Sequence, residues 1–369
     1  MRRFSIAAVA AVTLAAALSS PLAQAQAQAQ AQERDRAQER ARSQEGAQPD
    51  RPSAGLAHCA DGLCHFDVPP GTYDVRVTLG ARDASRTSVS GESRRSLLPE
   101  TAVAAGERVT RGFTVNVRTP EGEPTGPEGS PGLDLRIGGS APALAGIRVT
   151  PARHVRQILL IGDSTVCDQP GDPYSGWGQQ LPRYLRAGLS VANYADSGES
   201  TVSYLGNPRL WATVRPLIRP GDLVLVQLAH NDKTTDEATY RANLETLVAG
   251  VRERGGQPVL VTPIVRRWFS PDGTLNNGTA LLVNGLGVDH PAVIRSVAAA
   301  LDVPLIDLTA RTKALVESLG AEASKALYLT DEARDNTHTS VRGAAVYAGL
   351  VRDELVTRHL VPKGRVRVG

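Results

Sequence analysis

The chain has 369 residues, enough for more than one domain, and a hydrophobic content of 41% that allows a packed core. The formal charge is only +3 and no dense Lys/Arg cluster occurs, so no nucleic-acid partner is expected. No HExxH pattern occurs and the seven histidines are scattered, so no metal and no cofactor are expected.

At the N-terminus, Arg2-Arg3 precede the apolar run FSIAAVAAVTLAAALSS, and Ala23-Gln24-Ala25 follow as a small-x-small cleavage site. The pattern predicts a secretory signal peptide over 1–25 and a secreted or periplasmic product with no membrane contact after cleavage. The run is short and Ala-rich for a bilayer span. No Cys sits at the cleavage site to carry a lipid. Residues 26–55 are rich in Gln, Arg and Glu without apolar periodicity, and they read as a disordered linker. Export permits a disulfide. Cys59 and Cys64 flank a short loop, Ala-Asp-Gly-Leu, that could close through a disulfide between them. Cys167, left over, reads as a buried, inert thiol rather than a reactive one.

Residues 56–152 show period-two patterning. Tyr73, Val75, Val77 and Leu79 alternate with Asp74, Arg76 and Thr78; Phe113, Val115 and Val117 alternate with Thr114, Asn116 and Arg118. Turn signals such as Pro69-Pro70-Gly71 and the loop TPEGEPTGPEGSPG separate the runs. Half-buried antiparallel strands in a small β-sandwich domain are predicted. Of its aromatics, Tyr73 and Phe113 fall on the apolar phase, which favours core packing over a sugar-binding platform.

Beyond residue 153 the apolar runs become continuous: QILLIG (157–162), VAN (191–193), DLVLVQL (222–228), PVLVTPI (258–264) and VPLIDL (303–308). Strands buried on both faces read this way in parallel sheets. Helical stretches alternate with them: WGQQLPRYLRA, DEATYRANLETLVAGVRERG, HPAVIRSVAAAL and TARTKALVESLG. A last helix runs from Val341 to about His359, capped by Ser340 or Thr339. The prediction for 153–369 is a three-layer α/β/α sandwich around a five-stranded parallel sheet, with its site at the carboxyl ends of the strands.

Unusual polar residues gather there: Gly162-Asp163-Ser164, then NYADSGES (193–200), then Ala229-His230-Asn231-Asp232, and finally Asp335-Asn336-Thr337-His338 before the last helix. Nucleophilic catalysis needs a hydroxyl, a base and a group that orients the base. Ser164, placed by this reading at a helix N-terminus, supplies the hydroxyl; His338 is the candidate base and Asp335 its orienter. The Ser164 N–H, the Gly198 N–H and the Asn231 amide are candidate donors to an oxyanion. His230 reads as structural. Singly each motif also fits an ordinary cap or turn, and the case is joint. No GxSxG elbow occurs.

GDST, NYADSGES, QLAHND and DNTH, in that order, resemble the four blocks of the SGNH/GDSL hydrolase superfamily. Gly176-Trp177-Gly178, Thr262-Pro263, Arg266-Arg267 and Gly343-Ala344 narrow the resemblance to the rhamnogalacturonan acetylesterase branch of carbohydrate esterases, over roughly 155–360. The front β domain resembles, less specifically, the galactose-binding-like modules that precede such esterases. The resemblance implies a flavodoxin-like SGNH fold, a Ser164–His338–Asp335 catalytic set, and an oxyanion hole of Ser164, Gly198 and Asn231. Two positions depart from the family pattern: Glu199 stands where Arg is usual, and Ala229 replaces Gly.

The implied function is a secreted esterase removing acetyl groups from a pectin- or rhamnogalacturonan-type polysaccharide through a serine acyl-enzyme, with the polysaccharide as partner. Arg266 and Arg267 are candidates for pairing a uronate carboxylate, with a solvated surface pair as the alternative. A lipase, thioesterase or arylesterase of the same fold is the alternative function, though no apolar lid is evident. A noncatalytic carbohydrate-binding protein fits less well, because every member of the motif set is present. Oligomeric state is left open.

Overall fold

The computed structural model describes residues 54–367 apart from residue 154. The signal-peptide reading (1–25) and most of the linker reading (26–55) lie outside the described residues. Ala54 and Gly55 open a short 3-10 turn that ends at His58.

Two antiparallel sheets follow. The first contains β1 (Cys59–Ala60), β2 (Leu63–Phe66), β4 (Ser85–Gly91), β5 (Arg95–Val103) and β7 (Leu133–Ala141), in the order β1-β2-β7-β4-β5. The second contains β3 (Gly71–Leu79), β6 (Val109–Val117) and β8 (Leu144–Pro151), in the order β6-β3-β8. Val75, Val77, Leu79, Val89, Leu97, Phe113, Val115, Leu133 and Leu135 form their shared core. Tyr73 and Phe113 are buried there, and the Tyr73 hydroxyl donates to Pro69 O at 2.7 Å. Cys59 and Cys64 stand opposite each other in the β1–β2 register and are disulfide-bonded.

The polar phase of β6 departs from the expected exposure. Thr114, Asn116 and the following Arg118 are buried, like their apolar neighbours. The α/β region covers them: the Thr114 hydroxyl accepts from Gly188 N at 2.9 Å, and Arg118 Nη2 donates to Asn193 O at 2.5 Å. Alternating polarity here marks one face on the β core and the other on a polar interface.

The second region is built on β9 (Arg156–Gly162), β10 (Leu189–Asn193), β11 (Leu223–Gln227), β12 (Gln257–Val261) and β13 (Leu305–Ile306). All neighbours are parallel, in the order β10-β9-β11-β12-β13. The continuous apolar run of β9 is explained by its two faces. Ile158 and Leu160 join one core cluster, Leu159 and Ile161 the other. Four long helices complete the layers: α1 (Glu237–Glu253), α2 (His290–Ala300), α3 (Leu308–Ala323) and α4 (Val341–Thr357). Tyr240, Leu244, Leu247 and Val251 of α1 and Val293 and Val297 of α2 pack on the Leu159 face. Leu308 and Val316 of α3 and Tyr347 and Val351 of α4 pack on the Ile158 face.

Side-chain caps set the helix starts, with Asp236, Asp289, Asp307 and Ser340 each accepting from a backbone N–H in the first turn. VPLIDL is shorter as a strand than expected because Asp307 already caps α3. WGQQLPRYLRA is a helical turn, Trp177–Gln180, followed by a 3-10 turn, Leu181–Tyr184, because Pro182 has no N–H to continue an α-helix.

The chain runs from β9 to β10 on one side and then crosses to β11 on the other. The carboxyl end of β9 is therefore a topological switch point, where the two connections diverge and leave a crevice. Gly162-Asp163-Ser164 is the segment that leaves β9 there.

Candidate active site

Ser164 does not begin a helix, which corrects the expectation drawn from the sequence. It lies in a single hydrogen-bonded turn in which Val166 N and Cys167 N donate to Asp163 O at 2.9 and 3.1 Å. The first helical turn afterwards is Trp177–Gln180, so no helix dipole acts on Ser164. Asp163 rigidifies the turn from beneath. Its Oδ1 accepts from Thr165 N at 2.9 Å and Thr165 Oγ1 at 2.7 Å, and its Oδ2 faces His230 Nδ1 at 3.2 Å. Burial alone would raise the Asp163 carboxyl. The neighbouring His230 and the Thr165 donors outweigh it and hold the group below its usual range. At His230 burial dominates and lowers the ring, so the neutral imidazole donates Nδ1–H to the carboxylate. His230 is thus a support for the nucleophile turn.

Close packing explains the Gly-Trp-Gly segment. A Cβ on Gly176 would lie 2.4 Å from Cys167 O, and one on Gly178 would lie 2.4 Å from Val166 O. Both glycines let this segment lie flat on the Ser164 turn. Trp177 Nε1 donates to Gln227 Oε1 at 2.9 Å, and Gln227 Nε2 donates to Thr165 Oγ1 at 2.8 Å, which ties β11 to the same turn.

Asp335 and His338 arrive on a short strand, β15 (Asp335–Thr339), rather than in a loop. It pairs antiparallel with β14 (Tyr328–Leu329). Asp335 Oδ1 accepts from Thr337 N at 2.7 Å and His338 N at 3.0 Å, while Oδ2 accepts from His338 Nδ1 at 2.5 Å. Burial pushes the Asp335 carboxyl up, but these donors prevail and bring it down to about 2. With Nδ1–H directed at the carboxylate, Nε2 carries the lone pair. Ser164 Oγ–H donates to that Nε2 at 3.0 Å. The hydroxyl, the imidazole and the carboxylate are therefore in hydrogen-bonded sequence. Ser164 is nearly buried, whereas the His338 and Asp335 side chains are 29% and 28% exposed.

Tyr174, which carried no signal in the sequence, closes one flank. Its ring centroid is 4.8 Å from that of His338, and its hydroxyl donates to Ser164 O at 3.3 Å. On the other flank is the 196–200 loop. Gly198 has φ +82°, open only to glycine at low cost. Among the described residues, neither the Ser164 N–H nor the Gly198 N–H has a hydrogen-bond partner. Asn231 Nδ2 donates to Glu199 O at 3.1 Å, which leaves its second N–H free for another acceptor. The Glu199 side chain is partly buried, which raises its carboxyl. Asp232 is not a local cap: it accepts from Thr201 N and Oγ1 and so caps the short helix Thr201–Gly206 that follows the same loop.

Arg267 is not available to a substrate, a second correction. Its Nε donates to Ser324 Oγ at 3.0 Å, its Nη1 to Asn336 Oδ1 at 3.0 Å and its Nη2 to Ala321 O, and its own N–H donates to Asn336 O at 2.7 Å. It braces the strand that carries Asp335 and His338. Arg266 is more open. Its Nη2 donates to His230 O at 2.9 Å, whereas its Nε has no partner. Among the described residues, no group of three or more His, Cys, Asp or Glu side chains is arranged to hold a metal ion.

Residues 160–346 match the GDSL-like Lipase/Acylhydrolase family. Rhamnogalacturonan acetylesterase RhgT of Bacillus subtilis (strain 168) is 37% identical over 213 residues, 53% of this chain and 88% of the relative. The uncharacterized esterase YxiM of the same organism is 29% identical over 300 residues, 79% of this chain and 73% of the relative. The crystal structure of Bacillus subtilis YxiM superposes with a TM-score of 0.51 at 25% identity, covering 81% of each chain. The chain belongs to the GDSL-like lipase/acylhydrolase family, the SGNH hydrolases, as a rhamnogalacturonan acetylesterase-like serine carboxylic-ester hydrolase.

Proposed function

We propose that this hydrolase is an exported esterase that removes acetyl groups from a pectin- or rhamnogalacturonan-type polysaccharide. The observation that carries the chemistry is the chain Ser164 Oγ–H to His338 Nε2 at 3.0 Å and His338 Nδ1–H to Asp335 Oδ2 at 2.5 Å. The substrate reading is supported by the rhamnogalacturonan acetylesterase relative and by the N-terminal export pattern.

In the first step Ser164 Oγ bonds to the ester carbonyl carbon while its proton passes to His338 Nε2. The resulting imidazolium is stabilised by Asp335, which stays ionised. The negative charge on the former carbonyl oxygen meets the Ser164 N–H, the Gly198 N–H and the free N–H of Asn231. Collapse breaks the bond to the sugar oxygen, which takes the proton from Nε2 and leaves as a hydroxyl. A water then attacks the acetyl-enzyme, giving its proton to Nε2. The second collapse releases acetate and returns the proton to Ser164 Oγ.

Acetate release from acetylated pectin, acetylated xylan and p-nitrophenyl acetate tests the proposal. Pectin turnover above xylan turnover is expected, with Ser164→Ala inactive on all three. Activity surviving in Ser164→Ala would remove the serine from this role. Equal or greater turnover of xylan would remove the pectin-type substrate while leaving the chemistry.

A further inference from the structure

The β region reaches the catalytic loops through one carboxylate. Glu123 lies in the loop between β6 and β7, and its Oε1 accepts from Ser197 N at 2.9 Å. The same oxygen accepts from Ser197 Oγ and from the Cys167 thiol. Gln169 Nε2 bridges the two, donating to Ser197 Oγ at 3.1 Å and to Cys167 Sγ at 2.8 Å, and it also donates to Ser164 O at 3.1 Å. Two residues on, Thr125 N and Oγ1 donate to Asp196 Oδ2 at 2.7 Å and Oδ1 at 2.8 Å. Arg209 Nη1 and Nη2 clasp the same loop at Thr125 O and Pro124 O.

Two residues therefore connect Glu123 to the reacting centre. Ser197 immediately precedes Gly198, and Cys167 lies three residues beyond Ser164 in the nucleophile turn. The peptide that carries the Gly198 N–H is the Ser197–Gly198 peptide. Its orientation depends on Ser197 and on a glycine at φ +82° with no neighbour within 4 Å of where a Cβ would stand. Such a glycine is conformationally free, so local sterics do not hold its N–H in one direction. A charge-assisted pair of hydrogen bonds from the preceding residue to a fixed carboxylate does.

We infer that Glu123 of the β region is a positioning residue for ester hydrolysis, holding Ser197 so that the Gly198 N–H points at the developing oxyanion. This rests on the catalytic reading of Ser164 and Gly198 proposed above. It assigns the β region a share in the chemistry itself. Cys167 acts as a silent donor here: burial and then Glu123 push its thiol well above its ordinary value, so it stays protonated.

The interaction is used only when the oxyanion forms, so its loss falls on kcat rather than KM. Removing an oxyanion donor outright costs on the order of 10²–10³ in kcat, and a misdirected donor costs part of that. The test is steady-state hydrolysis of p-nitrophenyl acetate by the full chain, with kcat counted per site titrated by a fluorophosphonate. Glu123→Ala and Glu123→Asp are expected to lose about tenfold or more in kcat with KM within about twofold. Glu123→Gln keeps the accepting oxygen and is expected to recover most of the activity. A merely structural role would lower the number of titrated sites and leave kcat per site unchanged. The inference is overturned if Glu123→Ala keeps kcat per site within about twofold of the parent, or if Glu123→Gln is as impaired as Glu123→Ala. If Glu123→Ala does not fold, Glu123→Asp decides by the same criterion. Ser164→Ala, run in parallel, separates the two levels. An inactive Ser164→Ala beside an unimpaired Glu123→Ala refutes only the positioning role, whereas an active Ser164→Ala refutes the catalytic reading beneath it.

Discussion

Arg95 Nε donates to Asp168 Oδ2 at 2.6 Å, and both side chains are almost fully buried. Arg95 begins β5 of the β region, and Asp168 lies four residues beyond Ser164. The remaining valences are satisfied on both sides. Arg95 Nη1 donates to Asn116 O at 2.6 Å and Nη2 to Glu121 O at 2.5 Å, while Asp168 also accepts from Asn193 Nδ2 at 2.8 Å and Arg118 Nη2 at 3.1 Å. A buried pair of this kind contributes little net stability, but removing one partner strands a charge in a dry interior. Asp168→Asn is expected to destabilise the protein by about 3–5 kcal/mol in urea unfolding. The exposed pair Arg86–Glu100 serves as the control, and Arg86→Ala is expected to change stability by less than about 1 kcal/mol. Similar small losses in both variants would mean that Asp168 is not a buried anchor.

Asp335 links catalysis to acid stability. Burial raises its carboxyl, but the donors from His338 and Thr337 outweigh that and lower it to about 2 from an ordinary 3.8. A depressed carboxyl stabilises the fold fully above its unfolded value and loses that contribution as pH falls through the folded one. The shift corresponds to about 2 kcal/mol, present at pH 7 and lost between about pH 4 and pH 2. Asp335→Asn is therefore expected to be less stable than the parent at neutral pH, with the gap closing over that window. Urea unfolding of both proteins at a series of pH values measures it. A gap that stays constant down to pH 2 would show that the carboxylate charge is not the cause. The same substitution removes the fixed tautomer of His338 and is expected to lower kcat by on the order of 10³ or more.

The parallel sheet and the Ser164–Asp335–His338 set were legible in the sequence for physical reasons. Ile158–Ile161 is apolar on both faces because helices cover both, and Asp335 can reach His338 because two residues of the same strand, Thr337 and His338, carry three backbone and side-chain donors to its carboxyl. What escaped was anything that depends on who covers whom. Thr114, Asn116 and Arg118 look like a solvated strand face, yet they are buried on the α/β region. Arg267 beside Arg266 looks like a surface pair, yet all three of its guanidinium nitrogens are used inside. Glu123 and Tyr174 sit in loops of ordinary composition, and their roles come from contacts across 74 and 10 residues of sequence. Local pattern encodes periodicity and caps; it does not encode such long-range partners.

Two glycines near the site separate steric from conformational need. At Gly178 an added Cβ would meet Val166 O at 2.4 Å, Leu160 Cδ1 at 2.6 Å and Asn193 Nδ2 at 2.8 Å, all inside the core. Gly178→Ala is expected to cost about 1–3 kcal/mol in stability through overpacking. At Gly198 the space is open, and the cost of alanine is the left-handed backbone, about 1–2 kcal/mol. That strain is relieved most easily by turning the peptide, which moves the N–H away from the oxyanion. Gly198→Ala is expected to remain folded with kcat lowered about tenfold or more. Thermal melts and p-nitrophenyl acetate kinetics on both variants check this. A Gly198→Ala enzyme with parental kcat would exclude its N–H from the oxyanion hole.

Arg266 and Arg267 are expected to part company on substitution. Arg267→Ala removes the brace from Asn336 and takes one donor each from Ser324 Oγ and Ala321 O, so stability falls by about 1–3 kcal/mol and every substrate is affected alike. Arg266 has one donor committed to His230 O, a partnerless Nε, and Asp163 and Asp335 near enough to act on its charge. Its Nε is buried, so of the two arginines it is Arg266, with Nη1 uncommitted among the described residues, that is the candidate for a uronate carboxylate. If the substrate is an acidic polysaccharide, Arg266→Ala raises KM for acetylated pectin by about fivefold or more while KM for uncharged p-nitrophenyl acetate stays within about twofold. The pectin effect weakens in high salt if Arg266 acts through charge. Equal changes in KM on both substrates would instead assign Arg266 to holding the His230 loop, and acid-group recognition would have to be sought elsewhere on the protein.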